Sequence, residues 1–177
     1  LDMAVSNDFS EDYDDRNSDC YTEEIALGWR LPADGVAETS LTDFTNAING
    51  FVPTEGQTLA DYKSANTDVL TRIFAFLSPK PLSQHIEEIA DAAGYEGAFH
   101  ISRSPEGYPA FSGGGCLSAR DLARFGLLFA REGVGILDTT IANAPFLNES
   151  LTRPAPTLAA PKEWLRYSNH LMTDGRV

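Results

Sequence analysis

The sequence predicts a mainly α domain with short β hairpins. Three observations carry this. Apolar residues recur at helical spacing over 65–77, 82–93 and 119–132. Two Ser-x-x-Asp pairs, Ser40 with Asp43 and Ser118 with Asp121, stand where capping boxes open helices. The extended pieces, 97–102 and 108–112, are short and broken by Gly and Pro. A length of 177 residues suits one domain. With 42% hydrophobic and 22% charged residues, wholesale disorder is excluded.

Taken in order, Leu1-Asp2-Met3-Ala4-Val5 reads as the end of an apolar element, and 6–19 as a polar loop. Residues 20–29 suit a short helix. Leu41, Phe44 and Ile48 follow the Ser40 cap at helical spacing, and Asn49-Gly50 stops that helix. After a loop with Pro53 and Gly56, Val69, Leu70, Ile73, Phe74 and Leu77 give the rhythm of a buried helix face, ended by Pro79 and Pro81. Residues 82–93 form an amphipathic helix closed by Gly94. The pieces 97–102 and 108–112 are bridged by a Pro-Glu-Gly turn and followed by Gly113-Gly114-Gly115. The helix over 119–132 turns Leu122, Phe125, Leu128 and Phe129 inward. Residues 144–161 read as a Pro- and Ala-rich wandering connection, 163–172 as a strand, and Thr173-Asp174-Gly175-Arg176 as a hairpin turn. Both ends stop inside structure, so the chain is expected to be a piece of something longer.

Charge narrows the partners. Lys and Arg total 13 against 26 Asp and Glu, a formal net charge of −13. Phosphate binding needs a basic face, so nucleic acid is not an expected partner, nor is an anionic membrane surface. No apolar run is long enough for a membrane-spanning helix, and no signal peptide is visible; the compartment stays open. The acids Asp2, Asp8, Glu11, Asp12, Asp14, Asp15, Asp19, Glu23 and Glu24 crowd the first 24 positions, with Arg16 the single base there. A solvated acidic loop is the plain reading. A calcium loop is rejected because Asp12-Tyr13-Asp14-Asp15 lacks the required Gly and terminal Glu. Cys20 and Cys116 make no disulfide framework or metal motif.

Generic catalytic patterns are missing: no G-x-S-x-G, H-E-x-x-H, C-x-x-C or Walker loop occurs. His85, His100 and His170 are scattered. The glycine triplet precedes a helix, but Cys116 and Leu117 intervene, and a backbone passing close to a cleft wall explains it better than an anion cradle.

Tyr62-Lys63-Ser64, just ahead of a long helix, resembles the second active-site motif (Y-x-N/S) of the penicillin-recognising serine hydrolases. LDMAVSNDFSEDYDD at 1–15 and GGGCLSARDLARFG at 113–126 fit the same group in the right order. The chain is similar to the class C β-lactamase branch, and within it to the 6-aminohexanoate-dimer hydrolases and their carboxylesterase-like relatives. That resemblance implies the helical-domain portion of a β-lactamase/transpeptidase-like α+β fold, over 1–177 as a single partial domain.

It also implies acyl transfer. A Ser of an S-x-x-K motif attacks a carbonyl, and water cleaves the acyl-enzyme. Tyr62 matches the Tyr that relays the proton; beside Lys cations its phenolate is favoured. Tyr13 matches a Tyr that hydrogen-bonds the substrate amide. Glu24 and Ser112 fall where the amide-cleaving members carry Asp and Asn against the substrate, a departure that puts a linear amide in doubt. Trp29 matches a Trp on a closing loop; a core anchor explains it equally. Ser64 completes the motif beside the substrate. No Ser here has Lys at the third position after it, so the nucleophile and the third-motif strand are expected outside the chain, and the chain alone is expected to be inactive. No metal or organic cofactor is implied. The partners expected are a small ester or amide substrate and the remainder of its own polypeptide. Two alternatives remain: a non-catalytic binding or regulatory module derived from such an enzyme, and a hydrolase of β-lactams or peptidoglycan peptides.

Overall fold

The computed structural model describes residues 2–4, 7–50 and 58–175. Among them it is α-rich with two small hairpins. The helices are α1 (Asp19–Ala26), α2 (Leu41–Ala47), α3 (Ala65–Leu77), α4 (Leu82–Ala93), α5 (Ala119–Ala130) and α6 (Ala144–Thr152). Strand β1 (His100–Ile101) pairs antiparallel with β2 (Gly115–Cys116), and β3 (Arg166–Ser168) with β4 (Leu171–Thr173).

The caps act as the sequence predicts. Ser40 accepts from the Asp43 N–H and Ser118 from the Asp121 N–H, each satisfying an otherwise orphaned donor. Gly94 closes α4 in the left-handed conformation at φ +74°. The core gathers Phe9, Cys20, Ala26, Leu27, Leu41, Phe44, Ala65 and Ala110. It therefore lies where the first loop, α1 and α2 meet the start of α3.

Five expectations are corrected. Residues 2–4 are irregular, although Met3 is fully buried. In α3 the predicted buried face is turned outward. Leu70, Ile73, Phe74 and Leu77 are exposed, and Asn66, Asp68 and Thr71 are buried instead. Periodicity locates a helix face but does not say what covers it. On α5, Leu122 is exposed and Leu128 alone of the four predicted residues is fully buried. Residues 108–110 do run antiparallel to 102–104 across the expected Pro105-Glu106-Gly107 turn, but 111–112 form a turn, and the strand that pairs with His100–Ile101 lies on the glycine run. Finally, 163–172 is not one strand. Asn169 and His170 both have positive φ (46° and 65°) and fold it into the β3–β4 hairpin.

Helix α6 was hidden in the stretch read as a connection. Asn143 caps it by accepting from the Phe146 N–H at 3.0 Å, and Pro145 sits in its first turn. Asn followed within two residues by Pro is the signal that could have found it. The expected turn at 173–176 runs beyond the described residues at Arg176.

The three glycines answer to three neighbours. A Cβ on Gly113 would lie 3.2 Å from the Trp29 ring, and one on Gly114 would lie 2.0 Å from Ser102 Oγ. One on Gly115 would meet Phe99 at 3.4 Å. Close approach, not an anion cradle, explains the run.

Candidate active site

Tyr62 lies three residues ahead of α3, with 39% of its surface exposed and its ring edge-on to Tyr167 at 5.9 Å. It thus has an open side. Burial of the rest of the ring pushes the phenol pKa up, and the charges of Glu11, Glu23 and Asp68 push it further. The expectation that cations favour the phenolate finds no support among the described residues. Lys63, next in sequence, donates to the Phe9 carbonyl at 2.5 Å and stands 3.8 Å from Asp61. The phenol is held protonated.

Ser64 is buried. Its N–H donates to Glu11 Oε2 at 2.9 Å, and its hydroxyl faces Glu11 Oε2 at 3.1 Å and Glu23 Oε2 at 2.8 Å. It spends its donors on carboxyls rather than facing solvent. Tyr13, 70% exposed, donates its hydroxyl to Glu11. Burial and that carboxylate raise its pKa well above the ordinary phenol value. Ser112 lies against the Asp68 carboxyl closely enough to stabilise its charge, without a full hydrogen bond.

Three carboxyls therefore tie four of the predicted residues into one cluster: Tyr13 and Ser64 through Glu11, Ser64 through Glu23, Ser112 through Asp68, and Tyr62 by electrostatic proximity to all three. Glu23 is 3% exposed on α1 and Asp68 0% exposed on α3. Burial raises both pKa values, and each lies against the other. The sequence reading missed all three acids.

Glu24 and Trp29 stand apart from this cluster. Glu24 pairs with Arg30, whose guanidinium lies 4.2 Å from the Tyr21 ring centroid. The Trp29 ring rests on Gly113, and its Nε1–H donates to Ser102 Oγ at 2.7 Å. Among the described residues no group of three or more His, Cys, Asp or Glu could hold a metal ion.

The chain is 33% identical over 138 residues to the 6-aminohexanoate-dimer hydrolase of Paenarthrobacter ureafaciens, covering 76% of this chain and 33% of that protein. Its fold matches a solved structure named "Putative 6-aminohexanoate-dimer hydrolase from Bacillus anthracis" with a TM-score of 0.75 and 16% identity, over 95% of this chain and 44% of that one. The chain thus spans about a third of the curated relative's length and under half of the solved one's. No family model matches it.

Proposed function

From the chain's relationship to the 6-aminohexanoate-dimer hydrolases, within the β-lactamase-related hydrolases, we propose that it is the Tyr-bearing helical part of a serine hydrolase that cleaves a small ester or amide through an acyl-enzyme. Tyr62 relays the proton between the nucleophile and the leaving group. Tyr13 and Ser112 flank the substrate, and Trp29 forms the wall above the glycine run. Glu24, committed to Arg30, and Ser64, committed to Glu11 and Glu23, act by shaping the site rather than by meeting the substrate first.

The observation that carries this reading is an exposed phenol at the entrance to α3, grouped with Tyr13 and Ser112 through a shared carboxyl cluster. The chain contains no Ser-x-x-Lys. The nucleophile, its Lys and the second oxyanion donor belong to the remainder of the polypeptide, which docks on the outward apolar face of α3. A Lys arriving with that remainder supplies the cation that Tyr62 lacks here, and lowers its pKa toward the range where it can accept a proton.

The test uses nitrophenyl esters and short linear amides. The 177-residue chain is expected to show no turnover. In the longer polypeptide, Tyr62→Phe is expected to cut kcat by about 10²–10⁴-fold with little change in KM. Turnover by the chain alone, or full activity of the variant, contradicts the reading. Nitrocefin turnover by the longer polypeptide would favour a β-lactam substrate instead.

A further inference from the structure

Two carboxyls on different helices, Glu23 of α1 and Asp68 of α3, lie against each other with almost no access to water. Their polar atoms are unevenly served. Glu23 Oε2 accepts from Ser64 at 2.8 Å. Glu23 Oε1, both Asp68 oxygens and the Ser112 hydroxyl have no hydrogen-bond partner. Among the described residues no cation stands in. Lys63 turns to the Phe9 carbonyl, and Arg72 donates to the Thr42 carbonyl, Thr45 and Asn46 on α2. Two ionised carboxylates in contact, dry and without a counter-charge, would cost far more than a fold of ordinary stability can bear.

We propose that Glu23 and Asp68 share one proton at neutral pH and act as a positioning pair, fixing Ser64 and Ser112 alongside Tyr62. One proton placed between the carboxyls turns an orphaned oxygen into a donor and its neighbour into a satisfied acceptor. The Ser112 hydroxyl, turned toward the remaining Asp68 oxygen, serves the last orphan and is itself satisfied. The same proton replaces a repulsion between α1 and α3 with a bond, and these are the helices that carry the two sides of the cluster. Glu11 plays the other part. It accepts from the Ser64 N–H and from Tyr13, so it has the donors the buried pair lacks.

The groups that face the pair are Glu11 from the first loop, Cys20 from α1, and Tyr62 from the approach to α3. The glycine-run loop contributes only the neutral Ser112. Of these, Tyr62 and Cys20 keep their protons at neutral pH, and the negative charge of Glu11 favours retention of the proton on the pair. The positioning role rests on the acyl-transfer reading above; the protonation state does not.

The test compares the 177-residue chain with Glu23→Gln and Asp68→Asn by urea unfolding between pH 4 and 8. An acid that holds its proton more tightly when folded makes the native state bind the extra proton above the ordinary carboxylate range. Wild-type stability is therefore lost progressively as pH rises above about 4.5. Either amide keeps a donor in place and removes that titration. The ratio of wild-type to variant unfolding constants is expected to rise by roughly tenfold per pH unit between pH 5 and 7. A flat ratio overturns the proposal. If neither variant folds, carboxyl-¹³C spectra of the labelled wild type decide it. One carboxyl that keeps its protonated shift at pH 7 supports the pair, and complete ionisation of every Asp and Glu below pH 6 overturns it. Neither readout needs catalysis, so failure of the pair and failure of the hydrolase reading are separable.

Discussion

At Tyr62 the local charge is opposite to what a proton acceptor needs. Burial and three acids hold the phenol protonated, so within this chain it is a donor. The consequence is measurable by absorbance at 295 nm. The titration lost in Tyr62→Phe is expected to lie above pH 10.0, and Glu11→Gln is expected to move it down, because one of the charges that holds the proton is gone. A Tyr62 midpoint at or below 10.0 would show that a cation among these residues has gone unnoticed. Tyr62 and Ser64 were singled out by a motif and Tyr13 and Ser112 by the family resemblance, and the structure brings these four together. Glu11, Glu23 and Asp68 were not. Two of them are drawn from an acid-rich opening segment, whose composition says only that it is solvated. The third sits on the polar side of α3, which a hydrophobic pattern assigns to solvent.

That misassignment is a property of the helix. In α3 the apolar stripe exists as predicted, but it faces outward, and the polar residues opposite it are the ones packed on α1 and the first loop. Local signals fared better: both Ser caps and the Gly94 stop are where the sequence put them, because a cap depends only on the residues around it. Asp121 shows how far a cap can reach. The Glu96 N–H, the Ser118 hydroxyl, Arg124 and the Gly97 N–H all converge on its carboxylate, holding its pKa down to about 2. It thereby fastens the end of α4's loop to the start of α5. A depressed acid contributes stability above its unfolded value of 3.8 that is lost as pH falls toward 2. Thermal melts between pH 2 and 6 are expected to show Asp121→Asn with a lower midpoint than wild type near neutrality and a gap that closes at the acid end. Ser118→Ala is expected to cost about 1 kcal/mol at neutral pH. A Ser118→Ala melt indistinguishable from wild type would mean that the cap does not hold this junction.

For the molecule as a whole, the outward stripe of α3 is one part of a broader apolar face. Leu70, Ile73, Phe74 and Leu77 line an open hollow of about 530 Å³ together with Phe111 and His170. Phe111 also belongs to a second hollow, of about 300 Å³, where Ile86, Ile89, Phe99, Leu117 and Phe125 meet. Exposed apolar surface of this continuity is a contact surface for something. The occupant proposed above is the remainder of a longer polypeptide; the solved structure that shares this fold extends well beyond the part that aligns with this chain. The chain alone is then expected to bind a hydrophobic dye such as ANS strongly. The double variant Phe74→Ser with Leu77→Ser is expected to lose most of that binding while keeping its helical circular dichroism, because both side chains are exposed and contribute little to the core. Added as a separate chain, the proposed remainder should suppress dye binding by wild type and fail to bind the double variant. Should dye binding instead fall as wild-type concentration rises, with sedimentation showing a dimer, a second copy of this chain covers the face and the docking assignment is wrong.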